Sequence, residues 1–265
     1  MITAKILGDC VRPLLFEHEA FPDTPYQIGG SCFVCSFRDE IYIVTANHCL
    51  IGKKPDQLRV QYHPTSDLFL PVKLLTTIRE DGKKPFLNHL DVAVFQVCKD
   101  TLDRSQLKAE TVLDLDPLMQ QPLPIVPEAH LFLRGYPHEL KNEIDFDVKK
   151  IIRQAYFAEA TYAGQYTEPK CHQFRFLDVH PITSINGMSG CPVFQIINAP
   201  NGLKNLYSFA GMTIGEWVNM PVGIFIEYSI IFQVILNISK DIRPMEMEEE
   251  IRYRARSSIA VIKIE

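Results

Sequence analysis

Around position 189 a serine stands between two glycines and runs directly into an apolar segment: Ile185-Asn186-Gly187-Met188-Ser189-Gly190-Cys191-Pro192-Val193-Phe194. A serine hydroxyl is a poor nucleophile at neutral pH and becomes a useful one when an imidazole takes its proton and a carboxylate orients that imidazole. Both partners lie upstream. His48 ends the β-rich run Ile41-Tyr42-Ile43-Val44-Thr45-Ala46-Asn47-His48-Cys49, and Asp91 stands at the mouth of the apolar strand Asp91-Val92-Ala93-Val94-Phe95. The chemistry of such a set is acyl transfer, with Ser189 as nucleophile, His48 as general base and Asp91 holding the imidazole tautomer. Gly187 brings backbone close to a substrate with no Cβ in the way. The N–H groups of Gly187 and Ser189 are therefore the candidate oxyanion donors, each worth about 2.7–4 kcal/mol in a transition state.

Each residue alone has a plainer reading: a core histidine on a carbonyl, a strand-entry aspartate, an ordinary glycine-serine turn. Their order separates the readings, since His, Asp and Ser follow one another at spacings of 43 and 98 residues. An α/β-hydrolase needs serine, acid, then histidine, with the serine on a strand-to-helix elbow. His89, beside Asp91, reads as a surface residue.

Thr45-Ala46-Asn47-His48-Cys49 resembles the "TAAHC" histidine block of trypsin-like serine peptidases, Asp91-Val92-Ala93-Val94 their "DIAL" block, and Gly187-Met188-Ser189-Gly190-Cys191-Pro192-Val193 their "GDSGGPV" block. The resemblance, strongest to intracellular bacterial members, spans about positions 27–238. It implies an all-β, chymotrypsin-like fold: two antiparallel six-stranded β-barrels, a C-terminal helix and a short C-terminal extension. It also implies a serine endopeptidase that forms an acyl-enzyme on a protein or peptide substrate, with no cofactor and no metal. Secreted trypsins carry an aspartate where Met188 stands, and it pairs with the N-terminus released by activation cleavage. A thioether cannot make that ion pair, so control by a regulatory partner protein, localisation or loop ordering is expected instead.

By the same resemblance, Thr183 lies at the base of the substrate pocket. Thr213, Ile214, Gly215 and Glu216 lie on the strand that pairs with substrate backbone, and Gly223 on the opposite wall. Neither Thr183 nor Gly223 is acidic, so a preference for Arg or Lys does not follow, although Glu216 or Asp178 could restore one. Thr213 occupies a position where some relatives that cut after Glu or Gln carry histidine, which counts against that preference. Trypsin-like peptidases without a leader resemble components of bacterial stress or defence loci that cut one partner protein. Two other readings use the same residues: a catalytically silent module that binds a partner peptide in the same groove, and an esterase.

These residues need a frame. Residues 1–25 read as an extended lead-in with a short helix around 11–20. The first barrel takes 26–115, with a hairpin of 31–37 and 40–45 turning at Arg38-Asp39, then strands at 58–63, 68–75 and 91–97. Prolines at 117, 122, 124 and 127 mark the connection 116–128. The second barrel takes 129–240, with strands at 130–137, 151–161, 173–180, 191–197, 206–214 and 222–228 and a closing helix at 230–239. The extension 241–265 reads as an amphipathic helix over 245–257 and a strand over 258–264.

Bulk properties exclude other classes. The 265 residues are 46% hydrophobic, yet no run reaches the roughly 18 apolar residues of a membrane span. The N-terminus lacks the apolar core of a secretory signal, which points to a cytoplasmic protein. A net charge of −5, with lysines and arginines scattered, argues against nucleic acid. The acidic cluster Glu246, Glu248, Glu249 and Glu250, followed by Arg252, Arg254 and Arg256, reads as a solvated helix face. Seven cysteines form no disulfide framework. Cys32 and Cys35 share one strand and point to opposite faces. Cys49 occupies a position often disulfide-bonded in secreted relatives; its usual partner position is not clearly filled here, so it reads as a reduced, buried thiol.

Overall fold

The computed structural model describes residues 7, 9–17, 26–80, 88–140, 142–145, 150–177, 184, 186–197, 206–216, 222–240 and 257–263. Seven strands come first: β1 (Val11–Glu17), β2 (Tyr26–Phe37), β3 (Glu40–Thr45), β4 (Leu58–Arg59), β5 (Val72–Glu80), β6 (Ala93–Val97) and β7 (Leu113–Asp114), followed by the short helix α1 (Asp116–Gln120). Then come β8 (His130–Gly135), β9 (Asn142–Asp145), β10 (Lys150–Arg153), β11 (Tyr156–Gln165), β12 (Cys171–Phe176), β13 (Pro192–Ile197), β14 (Leu206–Glu216) and β15 (Val222–Glu227). Helix α2 (Tyr228–Lys240) and β16 (Ser257–Lys263) complete the described chain.

The expected two-unit β fold is present. The second unit is a closed barrel in the order β11-β12-β15-β14-β13-β8, while the first is an eight-stranded half-barrel sheet, β16-β5-β6-β3-β2-β1-β4, with β7 beside β2. Strand periodicity sets each interior. Along β8, Leu131, Leu133 and Gly135 are buried between the part-buried His130, Phe132 and Arg134, the two-residue alternation of a half-buried strand. Leu131, Leu133, Ala158, Phe174, Met188, Val193 and Phe225 fill the closed barrel. The next residues on β15, Ile224 and Ile226, belong to the larger core shared with the first sheet. Helix α2 buries Ile231, Phe232, Val234, Ile235 and Ile238, a one-faced helical spacing, and packs on β14, β15 and β5, bridging the two units.

The hairpin at Arg38-Asp39 forms as expected, with both residues at left-handed φ of 50° and 62°, the geometry of a tight two-residue connection. Arg38 N–H donates to Asp116 Oδ2 at 2.9 Å, tying the turn to α1. Where a helix is expected around 11–20, the described part, 11–17, is a strand: β1 pairs with β2 from Val11↔Phe33 to Glu17↔Tyr26, and with β4; 18–20 lie outside the described residues. Six successive buried residues suit a strand covered on both faces, and Pro13 would break a helix interior. The buried Arg12 guanidinium anchors this strand on the carbonyls of Val11 at 3.0 Å, Gln61 at 3.2 Å, Tyr62 at 3.0 Å and Thr111 at 3.1 Å, and on that of Asp9.

Smaller shifts concern strand ends. The strand read at 58–63 reduces to β4 and a bridge between Gln61 and Phe69. Residues 150–153 leave the barrel to pair with β9, and β11 extends to Gln165. The helix read at 245–257 lies outside the described residues but for position 257, which opens β16 in the place read for the terminal strand; β16 lies along β5. Among the described residues no helix is long and apolar enough to cross a membrane.

Candidate active site

His48 lies in a 3₁₀ turn, Asn47–Leu50, immediately after β3, and Asp91 lies two residues before β6. Strands β3 and β6 are antiparallel neighbours with Thr45 opposite Ala93, so the end of one and the start of the other meet at one sheet edge. His48 Nδ1 is 2.6 Å from Asp91 Oδ2, and the His48 backbone N–H donates to Asp91 Oδ1 at 2.8 Å. Both carboxylate oxygens are thus occupied by one residue, which fixes the ring plane. With Nδ1–H donating to the carboxylate, Nε2 is the acceptor nitrogen of the neutral ring.

Asp91 is fully buried and His48 is 19% exposed. Burial pulls the His48 pKa down, but the Asp91 hydrogen bond, the Cys49 contact and the Asp91 charge outweigh it and raise it to about 10. Burial pushes the Asp91 carboxyl up while His48 draws it back.

The carbonyls of the Ser189 loop from Asn186 to Ser189 are each held by a donor. Asn186 O accepts from His138 N–H at 2.7 Å, Met188 O from Cys191 N–H at 2.9 Å and Ser189 O from Ser31 N–H at 2.9 Å, and Gly187 O accepts from the Ser31 hydroxyl at 2.7 Å. In a trans peptide the N–H points opposite to the carbonyl. Fixing the Asn186 and Met188 carbonyls therefore aims the N–H groups of Gly187 and Ser189 away from them, and among the described residues neither has an acceptor.

Glycine is required at two points of this loop. Gly187 has φ +95°, and a Cβ there would come 2.6 Å from both His138 Cδ2 and Tyr136 O; Gly190 has φ +91°, and its Cβ would come 2.0 Å from Ser31 O. The loop thus packs against the β8 end on one side and the first sheet on the other.

The Cys49 thiol lies 3.8 Å from His48 Nε2 and 3.8 Å from Ser189 O, so one thiol touches both the imidazole and the serine loop. A Cβ on Gly30 would stand 2.8 Å from Cys49 Sγ; a glycine occupies the place a disulfide partner would need. All seven cysteines are free. Ser189 Oγ has no hydrogen bond among the described residues, a looseness common in catalytic sites without substrate.

The pocket residues divide. Pairing of β14 with β13 ends at Met212, while pairing with β15 continues to Glu216↔Gly223. The Thr213 N–H and carbonyl bond to Cys191 O and Gly190 N–H. Ile214, Gly215 and Glu216 thus lie past the end of the β13 ladder, on an edge of β14 with no paired strand among the described residues. Thr213 is buried and its Oγ1 accepts from the Cys191 thiol at 3.4 Å. Gly223 meets the Phe174 ring, which a Cβ there would approach to 2.1 Å. Met188 is wholly buried in the closed-barrel core. Thr183 and Asp178 lie outside the described residues.

Two contributors were not read from sequence. Ser31 and His138 hold the loop across 156 and 48 positions of chain, and their only local signal is a serine or histidine at the margin of an apolar strand.

No family model matches the chain, and no curated protein matches it. Among solved structures, the scabies mite inactivated protease paralogue S-I1 is similar with a TM-score of 0.52 and 13% identity, over 88% of this chain and 94% of that one. Rv3671c of M. tuberculosis, in the inactive form of a mutant, has a TM-score of 0.46 and 14% identity, over 92% of this chain and 91% of its own. The mite protein's likeness shows the fold, and with the closed barrel, half-barrel sheet and C-terminal helix it makes this chain a chymotrypsin-like double barrel.

Proposed function

We propose that the chain is a serine endopeptidase, cutting a partner protein at limited sites through an acyl-enzyme. One observation carries the reading: His48 Nδ1 is bound to a buried Asp91 at 2.6 Å, and the Cys49 thiol joins its other nitrogen to the Ser189 carbonyl, in a loop with two N–H groups that have no acceptor among the described residues. In the proposed cycle Ser189 Oγ attacks the scissile carbonyl and His48 Nε2 takes its proton. The N–H groups of Gly187 and Ser189 receive the oxyanion, and His48 returns the proton to the leaving amine. Water then repeats the sequence on the ester. The edge of β14 at Ile214, Gly215 and Glu216 supports a peptide as substrate over a simple ester. Seven free thiols accord with a reducing compartment such as the cytoplasm. By resemblance we assign the chain to bacterial stress or defence systems.

The test is the intact mass of the protein after reaction with a fluorophosphonate, comparing wild type with Ser189→Ala and His48→Ala. A single adduct, lost in both variants, is expected. A second reading, the silent peptide-binding module, is favoured by the raised His48 pKa of about 10, because an imidazolium cannot take the serine proton. It predicts no adduct from neutral pH up to pH 10. Rapid, complete digestion of unfolded casein would contradict limited cleavage of one partner.

A further inference from the structure

We propose that Ser31 is the positioning residue that holds the nucleophile loop in working shape from the opposite unit of the molecule. The proposal rests on the serine-peptidase reading above. Ser31 is fully buried on β2, outside the barrel that carries Ser189. Its hydroxyl donates to Gly187 O at 2.7 Å and accepts from Tyr136 N–H at 2.9 Å. Its N–H donates to Ser189 O at 2.9 Å, and its carbonyl accepts from Thr45 Oγ1 at 2.8 Å. One residue thus ties together β3, the end of β8 and two carbonyls of the Ser189 loop.

The loop needs such a tie. Gly187 has no Cβ, so sterics alone do not choose between two orientations of its peptide units. Rotating the Gly187–Met188 peptide would take the Gly187 carbonyl off Ser31 and leave a buried hydroxyl and a carbonyl short of partners. The same rotation turns the chain between the two candidate oxyanion N–H groups. Met188, buried in the barrel core, brings no charge that could fix the loop by an ion pair. The Ser31 hydroxyl does that work as a neutral hydrogen bond, and it needs no newly released terminus.

The test compares wild type and Ser31→Ala by saturation kinetics of fluorophosphonate labelling and by the downfield proton resonance of His48 Nδ1–H. Ser31→Ala keeps the backbone bond to Ser189 O and loses both hydroxyl bonds. The expected result is a fall in the limiting labelling rate of about 30- to 100-fold, less than the full loss of an oxyanion donor would give, with reagent affinity within about twofold and the His48 resonance retained. A limiting rate within about threefold of wild type overturns the proposal. So does loss of the His48 resonance together with the rate, which would make Ser31 merely structural. Absence of a Ser189 adduct in wild type removes the peptidase reading itself, and the positioning role with it.

Discussion

Among the described residues two histidine–carboxylate pairs have little exposure, and they differ in what the second ring nitrogen meets. In the first, His48 reaches a fully buried Asp91 at 2.6 Å, and its Nε2 lies 3.8 Å from the Cys49 thiol, which also touches Ser189 O. In the second, on the closed barrel, His172 Nε2 is 3.4 Å from Glu227 Oε2, and its Nδ1 is 3.0 Å from the Tyr162 hydroxyl. Glu227 is shared further, with Lys170 at 3.2 Å and 3.3 Å and Ser229 at 2.7 Å. The His172 ring also stacks on Phe225. Both ring nitrogens of His172 are thus spent inside the protein. Burial would push Glu227 up, but the hydrogen bonds of His172 and Ser229 and the Lys170 ammonium hold it at about 2. Proximity of imidazole and carboxylate does not by itself make a base; on the proposed reading the difference lies in the second nitrogen, which at His172 meets a tyrosine hydroxyl and at His48 a thiol that also touches the Ser189 loop.

The sharpest way to break the contrast is to neutralise each carboxylate. Asp91→Asn keeps the shape and offers an amide where Nδ1–H needs an acceptor, so the labelling rate of Ser189 should fall by on the order of 10⁴-fold. Glu227→Gln should leave that rate within about threefold, because nothing in its network faces the serine loop. Equal losses in the two variants would mean that the assignment of roles is wrong.

Glycine geometry predicts a loss nearly as large. Gly190→Ala forces a Cβ to within 2.0 Å of Ser31 O at a φ of +91°. Backbone must move on one side or the other, and the rate of Ser189 labelling should drop by about 100-fold or more. Labelling at the wild-type rate would show that the packing of the two units at Gly190 does not govern the site.

A pH profile sharpens the contrast next. His48 is raised to about 10, so its protonated form is stabilised by the fold. That contribution to stability is complete below the ordinary value near 6.5 and is lost as pH rises toward 10. Base availability runs the opposite way, so the labelling rate should climb across the same interval, with its midpoint above 6.5. Asp91→Asn should move the midpoint downward. A midpoint at or below 6.5 in the wild type would contradict the strength assigned to the His48–Asp91 bond. Glu227 behaves in reverse: held at about 2, it contributes stability above its ordinary value near 4.5, and that is lost as pH falls toward 2. After discounting for the exposed Lys170 end, Glu227→Gln should cost about 1–2 kcal/mol at pH 6 and nothing near pH 2 in urea melts.

How far the chain could be read without its structure follows from the range of each interaction. His48, Asp91 and Ser189 were legible because each stands at the end of a short β-rich run or between glycines, and because chain order sets this set apart from other acyl-transfer folds. The β8, β13 and β15 strands carried their own apolar patterns. β1 departs from the expected helix because it pairs with β2 and β4 on either side, which no local period reveals. Ser31 was invisible for a stronger reason: its partners lie at Gly187 and Tyr136, and nothing in Gly29-Gly30-Ser31-Cys32 announces a contact with the other unit. The candidate nucleophile could be picked out from sequence; the residue proposed to shape its loop could not.

A third pair sets the floor of the comparison. His130 Nε2 lies 3.1 Å from Glu159 Oε2, closer than His172 to Glu227, yet the two side chains are 42% and 58% exposed. Water competes for both groups there, salt screens them, and ordering two solvated side chains costs entropy, so the short distance carries little free energy. His130→Gln should therefore change stability by less than about 0.5 kcal/mol and leave Ser189 labelling unaltered. The measurement is the urea midpoint at low and at high salt. A destabilisation above about 1 kcal/mol that persists in high salt would mean that distance, and not burial or what the second nitrogen meets, ranks the three pairs.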